Sequence, residues 1–290
     1  MNQDNPKIAE RGVVARGQRL ATAMNDAPRE LALRPPLVVL PAAGFVWRDY
    51  LPVLEQYAAE RRVFALDWPG FGASEKPAPT DFNYSVAGYA EVLAGWMDGL
   101  GIARAVLLGN GIGSTAALRY AASHPRRVLG LALASPLGFG TAGRIGRLAG
   151  RALSSPALLR RIEPALSSLA LGPTTPTTAV VAERLKAARA APEYVASLAA
   201  HAALWQSLAR EREELPELAQ RVEVPAIVIR GALDPIVSAA DSRRATDLIG
   251  GLEVVLPEAG HLPFLQQPGP FFRAVAGILN TAEVRATEPS

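Results

Sequence analysis

The chain has 290 residues, of which 49% are hydrophobic, with a formal net charge of +3 and no cysteine. That length supports one large core carrying an insertion, or two small domains, and the lack of cysteine excludes disulfide and thiolate chemistry. The charge is mostly arginine spread along the chain, not a basic stripe with interleaved aromatics, so no nucleic-acid partner is expected.

In chain order, residues 12–24 read as an opening pair of strands around Gly17, residues 37–40 as a buried strand, 48–60 as a helix and 63–67 as a further strand. The glycine-rich turn DWPGFGASEKP follows, then a helix over about 85–100. Residues 105–108 form a short apolar run suited to a buried parallel strand, and 114–122 carry helical periodicity. A strand is expected over 128–134. From about 138 to 220 the composition shifts to alanine, leucine and arginine at helical spacing, with breaks at Pro156, Pro164, Pro173 and Pro176; this predicts an insertion of short helices, amphipathic in the run GRIGRLAGRALSSPALLRRI. Strands return at 226–230 and 252–256, a closing helix at 270–280, and the last ten residues read as a loose tail. Such alternation predicts an α/β fold with a mainly parallel sheet and helices on both faces.

The polar start MNQDNPKIAERG and the lack of any apolar run near the ~20 residues of a membrane span predict a soluble, cytoplasmic chain. The three histidines, His124, His201 and His261, lie far apart without ligand spacing, so no metal site and no cofactor is expected. His124 stands at a helix end, a structural place, whereas His201 lies in the insertion, where a histidine can face a pocket.

The run AVLLGNGIGSTAALRYAASHP reads as a strand–turn–helix of the G-x-S-x-G kind, with Gly111 where that pattern has its hydroxyl. Gly109 and Gly113 flank the turn and allow strand and helix to approach closely. The nearest hydroxyls, Ser114 and Thr115, fall in the first helical turn, where capping or packing is the expected role. Gly111 to Ala116 also satisfies the dinucleotide fingerprint G-x-G-x-x-A. However, no acidic residue occurs between Ser114 and Arg161, so the ribose-binding carboxylate about 20 residues on is missing.

These motifs, together with LVVLPAAGF, AIVIRGALDPIVS and EAGHLPFLQQP, resemble the α/β-hydrolase superfamily, particularly its single-domain members with a helical cap: meta-cleavage-product hydrolases, epoxide hydrolases and related esterases. The resemblance implies an α/β-hydrolase core at 1–137 and 221–290 and a helical cap at 138–220. It places Asp234 and His261 at the acid and base of the triad, in the chain order of that fold, with Gly111 at the nucleophile position. Asp234 has a second reading, as the cap of the turn before Pro235. Backbone N–H groups of Ile112 and of Ala43 or Ala42 are the expected oxyanion donors. The family's common His-Gly at that turn is here Pro41-Ala42, while Asn110 agrees with the Gly-Asn-Ser-x-Gly-Gly of C–C bond hydrolases. Asn110, Phe45, Trp47 and Phe139 are expected at the substrate pocket.

Two functions fit. One is an enzyme without a serine nucleophile, using a His-Asp dyad and backbone donors for elimination, isomerisation, cyclisation, aldol-type cleavage or direct hydrolysis of a small to medium, mostly apolar substrate. The other is a hydrolase fold that has kept its pocket for ligand binding alone. The oligomeric state is left open.

Overall fold

The structure, a computed structural model, describes residues 7–26, 31, 33–140 and 153–287. Strands β1 (Ile8–Ala15) and β2 (Gln18–Asn25) form an antiparallel hairpin. Its two turn residues, Arg16 and Gly17, both have positive φ, 52° and 76°, as the tight hairpin turn requires. After them come β3 (Leu37–Leu40), α1 (Leu51–Ala58), β4 (Val63–Leu66), α2 (Val86–Gly99), β5 (Ala105–Asn110), α3 (Ile112–Ser123) and β6 (Val128–Ala134). Helix α1 is shorter than the expected 48–60 because its first turn, Trp47–Tyr50, is a 3₁₀ helix.

Among the described residues, four helices follow between β6 and β7: α4 (Pro156–Leu171), α5 (Pro176–Ala190), α6 (Tyr194–Glu211) and α7 (Leu215–Gln220). The predicted break at Pro164 does not occur, since Pro164 lies inside α4. Contacts of that helix with α5 and α6 outweigh the lost backbone hydrogen bond. Residues 143–152 of the amphipathic run fall outside the described part. The chain ends with β7 (Ala226–Gly231), α8 (Ala239–Ile249), β8 (Leu252–Leu256), the short α9 (Pro263–Gln266) and α10 (Pro268–Thr287).

Two further features differ from the sequence reading. Helix α8, which no expected element covered, is capped by Ser238, whose hydroxyl accepts from the Asp241 N–H at 3.2 Å. Of the expected loose tail, residues 281–287 are helical, because Phe271, Val275, Ile278, Leu279 and Ala282 carry one apolar stripe onto the core, while 288–290 lie outside the described residues. Arg61, 2% exposed at its side chain, pairs with Glu283 on that last stretch at 2.8 Å.

The eight strands lie in the order β1-β2-β4-β3-β5-β6-β7-β8; β2 is antiparallel to β1 and β4, and every later pairing is parallel. Strands β3 to β6 are buried at every residue, which explains their unbroken apolar runs. One apolar cluster packs α2, α3 and α8 on one face of the sheet, and another packs α1 and α10 on the other. Parallel strands end at a common edge, so the loops after β3, β5, β6, β7 and β8 converge there.

The turn after β4 braces that edge. Asp67 accepts from the Trp47 N–H at 2.7 Å and the Ala73 N–H at 2.9 Å. A Cβ at Gly72 would stand 1.9 Å from the same carboxylate. Burial pushes the Asp67 pKa up to about 6, with the two N–H groups opposing. Between its ordinary 3.8 and about 6, the folded chain holds a proton that the unfolded chain has released. The Asp67 contribution to stability therefore falls as pH rises through that window, by about 3 kcal/mol, and is level above it. Chemical denaturation across the window is expected to show this slope in the wild type and its loss in Asp67→Asn; matching slopes would refute it.

Candidate active site

The turn between β5 and α3 is held by two glycines with no room for a side chain. A Cβ on Gly109 would lie 2.5 Å from the Gly113 carbonyl oxygen, and one on Gly113 would lie 2.1 Å from that of Leu40. Between them Gly111 adopts φ 55°, ψ −119°, with its N–H donated to the Ala134 carbonyl at 3.0 Å. The turn is thus a tight elbow at a glycine-favoured conformation. A Cβ built on Gly111 would stand 3.3 Å from His261 Nε2 and 3.1 Å from Ala42 Cβ.

His261 is 4% exposed. Its Nδ1 lies 3.1 and 3.3 Å from the two carboxylate oxygens of Asp234, which follows β7. Asp234 also accepts from the Ile236 and Val237 N–H groups at 2.8 and 3.0 Å, so it both holds the turn around Pro235 and meets the histidine. Burial pushes its pKa up, but the bonds and charge of His261, the Val237 N–H and nearby Ser135 together hold it below the ordinary carboxylate value. Ser135, whose backbone has φ 48°, carries its buried hydroxyl beside Asp234.

Of the expected oxyanion donors, Ala42 is committed elsewhere: its N–H goes to Tyr50 Oη at 2.9 Å. Tyr50 in turn donates to Asn110 Oδ1 at 2.8 Å, and Asn110 Nδ2 donates to the carbonyls of His261 and Ala134 at 3.1 and 3.2 Å. Among the described residues the N–H groups of Ala43 and Ile112 have no protein acceptor. Asn110, expected at the pocket, is instead a 2% exposed bracket beneath it, tying together the loops after β3, β5, β6 and β8. Ser114 and Thr115 donate to the carbonyls of Ala134 and Leu137, both at 2.9 Å, in packing roles.

Two adjoining cavities open above this floor. The inner one, of about 370 Å³, is walled by Ala43, Phe45, Ile112, Leu166, Ile236 and His261 among others and is mostly apolar. The outer one, of about 390 Å³, has Lys76, Arg184, Arg189, Glu193 and Tyr194 in its wall. Gly44, Glu163, Leu185 and His201 belong to both and form the waist between them. Trp47 and Phe139, also expected at the pocket, line neither: both are buried, with the Trp47 indole N–H donated to Glu10 at 2.9 Å. His124 stacks on Tyr120 at the far end of α3, ring centroids 4.5 Å apart.

The insertion is fastened to the core beside the site. Arg184 of α5 pairs with Asp49 at 2.6 Å and reaches the Gly44 carbonyl at 3.4 Å. Glu163 of α4 accepts from Arg189 at 2.8 Å, from Tyr194 at 2.9 Å and from Ser167. Burial pushes the Glu163 carboxyl up, but these donors outweigh it and hold its pKa below the ordinary value. The Tyr50–Asn110 bracket and the Glu163 cluster escaped the sequence reading because they join residues with no shared motif. Among the described residues, no group of three acidic or imidazole side chains is placed to hold a metal, and no helix is long and apolar enough to cross a membrane.

Residues 35–268 match the family described as alpha/beta hydrolase fold. The chain belongs to the α/β-hydrolase fold family. Its similarity to meta-cleavage-product hydrolases is regional: it is 34% identical to 2-hydroxymuconate semialdehyde hydrolase of Pseudomonas sp. (strain CF600) over 139 residues, 47% of this chain and 46% of that one. The chain thus spans about half the length of that curated relative. Pimeloyl-[acyl-carrier protein] methyl ester esterase of Edwardsiella ictaluri is matched more fully, with 30% identity covering 79% of this chain and 86% of the esterase. Among solved structures, 2-hydroxy-6-oxo-6-phenylhexa-2,4-dienoate hydrolase of Rhodococcus sp. strain RHA1 shares the fold, with a TM-score of 0.76 and 21% identity over 95% of this α/β-hydrolase chain and 99% of that one.

Proposed function

We propose that this α/β-hydrolase chain is an enzyme that works without a serine nucleophile, using His261 as general base and Asp234 to orient and stabilise it. The observation that carries this reading is the 3.3 Å between His261 Nε2 and the point where a Gly111 Cβ would stand. A base remains aimed at a position whose residue brings no reactive atom. An imidazole held by a carboxylate takes a proton from water or from a substrate C–H or O–H at neutral pH. The negative charge that develops on a substrate oxygen is then met by the N–H groups of Ile112 and Ala43. The reactions that fit are elimination, isomerisation, cyclisation, aldol-type cleavage and direct attack of water on an activated ester. Helices α4–α7, within 138–220, act as the cap, and the mostly apolar inner cavity favours a small to medium apolar substrate.

The test is proton abstraction and hydrolysis by the unaltered chain: solvent deuterium uptake by simple ketones and release of nitrophenol from acyl nitrophenyl esters. His261→Ala and Asp234→Asn are each expected to lower the rates by about 10²- to 10⁴-fold. Rates equal in the wild type and both variants would leave a ligand-binding role, which the glycine at 111 also fits.

A further inference from the structure

His201 is one of only three histidines in the chain and takes no part in the base arrangement above. It sits on α6 at the waist shared by the two cavities, facing the loop that follows β3: a Cβ on Gly44 would lie 3.7 Å from its Cε1 and 3.9 Å from its Nδ1. The ring is fixed by aromatic neighbours, Phe71 edge-on at 5.8 Å and Trp205 stacked at 6.3 Å. Neither ring nitrogen has a hydrogen-bond partner among the described residues. One helical turn on, the Trp205 ring borders the same inner cavity, with its indole N–H buried away from it. A half-buried imidazole at a cavity waist with no protein partner presents a hydrogen-bonding group to whatever fills that cavity.

We propose that His201 forms a second polar subsite, and that the ligand is an apolar molecule carrying a neutral oxygen, a ketone or hydroxyl, remote from its reacting carbonyl. This rests on the reading above, in which the reacting carbonyl lies at Ile112 and Ala43. Three observations select a neutral oxygen. Burial pushes the His201 pKa down to about 4, against the attraction of Glu163, so at neutral pH the ring offers one N–H and no charge to attract an anion. Glu163 borders the same waist and stays ionised through its bonds to Arg189, Tyr194 and Ser167, and the Arg189 guanidinium so committed is not free to hold a carboxylate. Those same donors occupy Glu163, which leaves it poorly placed to recruit a cation. The inner cavity takes the carbon chain, and the waist takes the second oxygen.

The test is binding, so it does not depend on turnover. The probes are a nine-carbon methyl ketone and nine-carbon diketones whose second carbonyl is moved stepwise along the chain. Ring-labelled histidine gives three signals to follow by NMR. At least one diketone is expected to bind about five- to tenfold more tightly than the monoketone, with a shift of the His201 signal. His201→Phe keeps the aromatic packing; it is expected to erase that gain while changing monoketone affinity by less than about twofold, and His201→Gln to restore part of it. Diketones binding no tighter than the monoketone, a gain that survives in His201→Phe, or an unmoved His201 signal would overturn the proposal. His261→Ala is expected to keep the gain. A kept gain with no His261-dependent chemistry would therefore refute only the catalytic reading, and the reverse pattern only the subsite.

Discussion

Gly111→Ser is expected to convert the chain into a His261-dependent esterase that releases a burst of nitrophenol from acyl nitrophenyl esters and turns over at least about 10²-fold faster than the wild type. The geometry supplies what a serine would need. Its Cβ would stand 3.3 Å from His261 Nε2, and Oγ lies one bond further, within reach of a hydrogen bond to that nitrogen. The N–H groups of Ile112 and Ala43 would receive the charge on the tetrahedral oxygen. Two costs oppose the change. A side chain at φ 55° carries about 1–3 kcal/mol of backbone strain, and Ala42 Cβ, 3.1 Å from the new atom, must give way by a few tenths of an ångström. The variant should therefore melt several degrees lower while remaining folded. A folded but inert variant, or turnover that persists when His261→Ala is added, would show that base and elbow no longer act together.

What could be read in advance follows from how local each signal is. Asp234 and His261 stand in short stretches, GALDPIVS and EAGHLPF, whose backbone pattern is set by neighbouring residues, and the structure brings the two side chains to 3.1 Å. The buried strands were legible because parallel strands covered on both faces need unbroken apolar runs. The partners of Asn110 were not, since Tyr50, Ala134 and His261 meet it from 60, 24 and 151 residues away. Only the converging strand ends make that meeting possible. Helix α8 is hard to read because its sequence, AADSRRATDLI, is more than half polar and its buried side, Ser242, Ala245, Thr246 and Ile249, mixes hydroxyls with apolar residues, with the Ser238 cap marking its start. Pro164 misled for the opposite reason: local propensity predicts a break, and packing against α5 and α6 overrides it. Trp47 and Phe139 were drawn to the pocket by their position on loops, but a large ring gains more from full burial than from a cavity rim.

The same substitution should have opposite signs at two glycines of this chain, and the larger effect lies at the elbow. Gly113 and Gly277 both sit in helices, where replacing glycine by alanine favours folding by about 1 kcal/mol. At Gly277 the new Cβ meets nothing within 4 Å, so Gly277→Ala is expected to realise most of that gain. At Gly113 the Cβ would lie 2.1 Å from the Leu40 carbonyl oxygen and 2.6 Å from that of Pro41. These are backbone atoms at the end of the central strand β3, and no rotamer change can move them aside. Either α3 or the loop after β3 must retreat, and the expected cost is about 3 kcal/mol or more, which overwhelms the helical gain. The displacement also parts Ala43 from Ile112, so both proposed oxyanion donors lose their common focus, and a Gly111→Ser esterase carrying Gly113→Ala should lose activity even where it stays folded. Urea unfolding of the two single variants decides the matter. A Gly113→Ala midpoint equal to or above that of the wild type would mean that the strand–helix contact is looser than 2.1 Å implies, and that the elbow owes its shape to something other than the close approach that glycine allows.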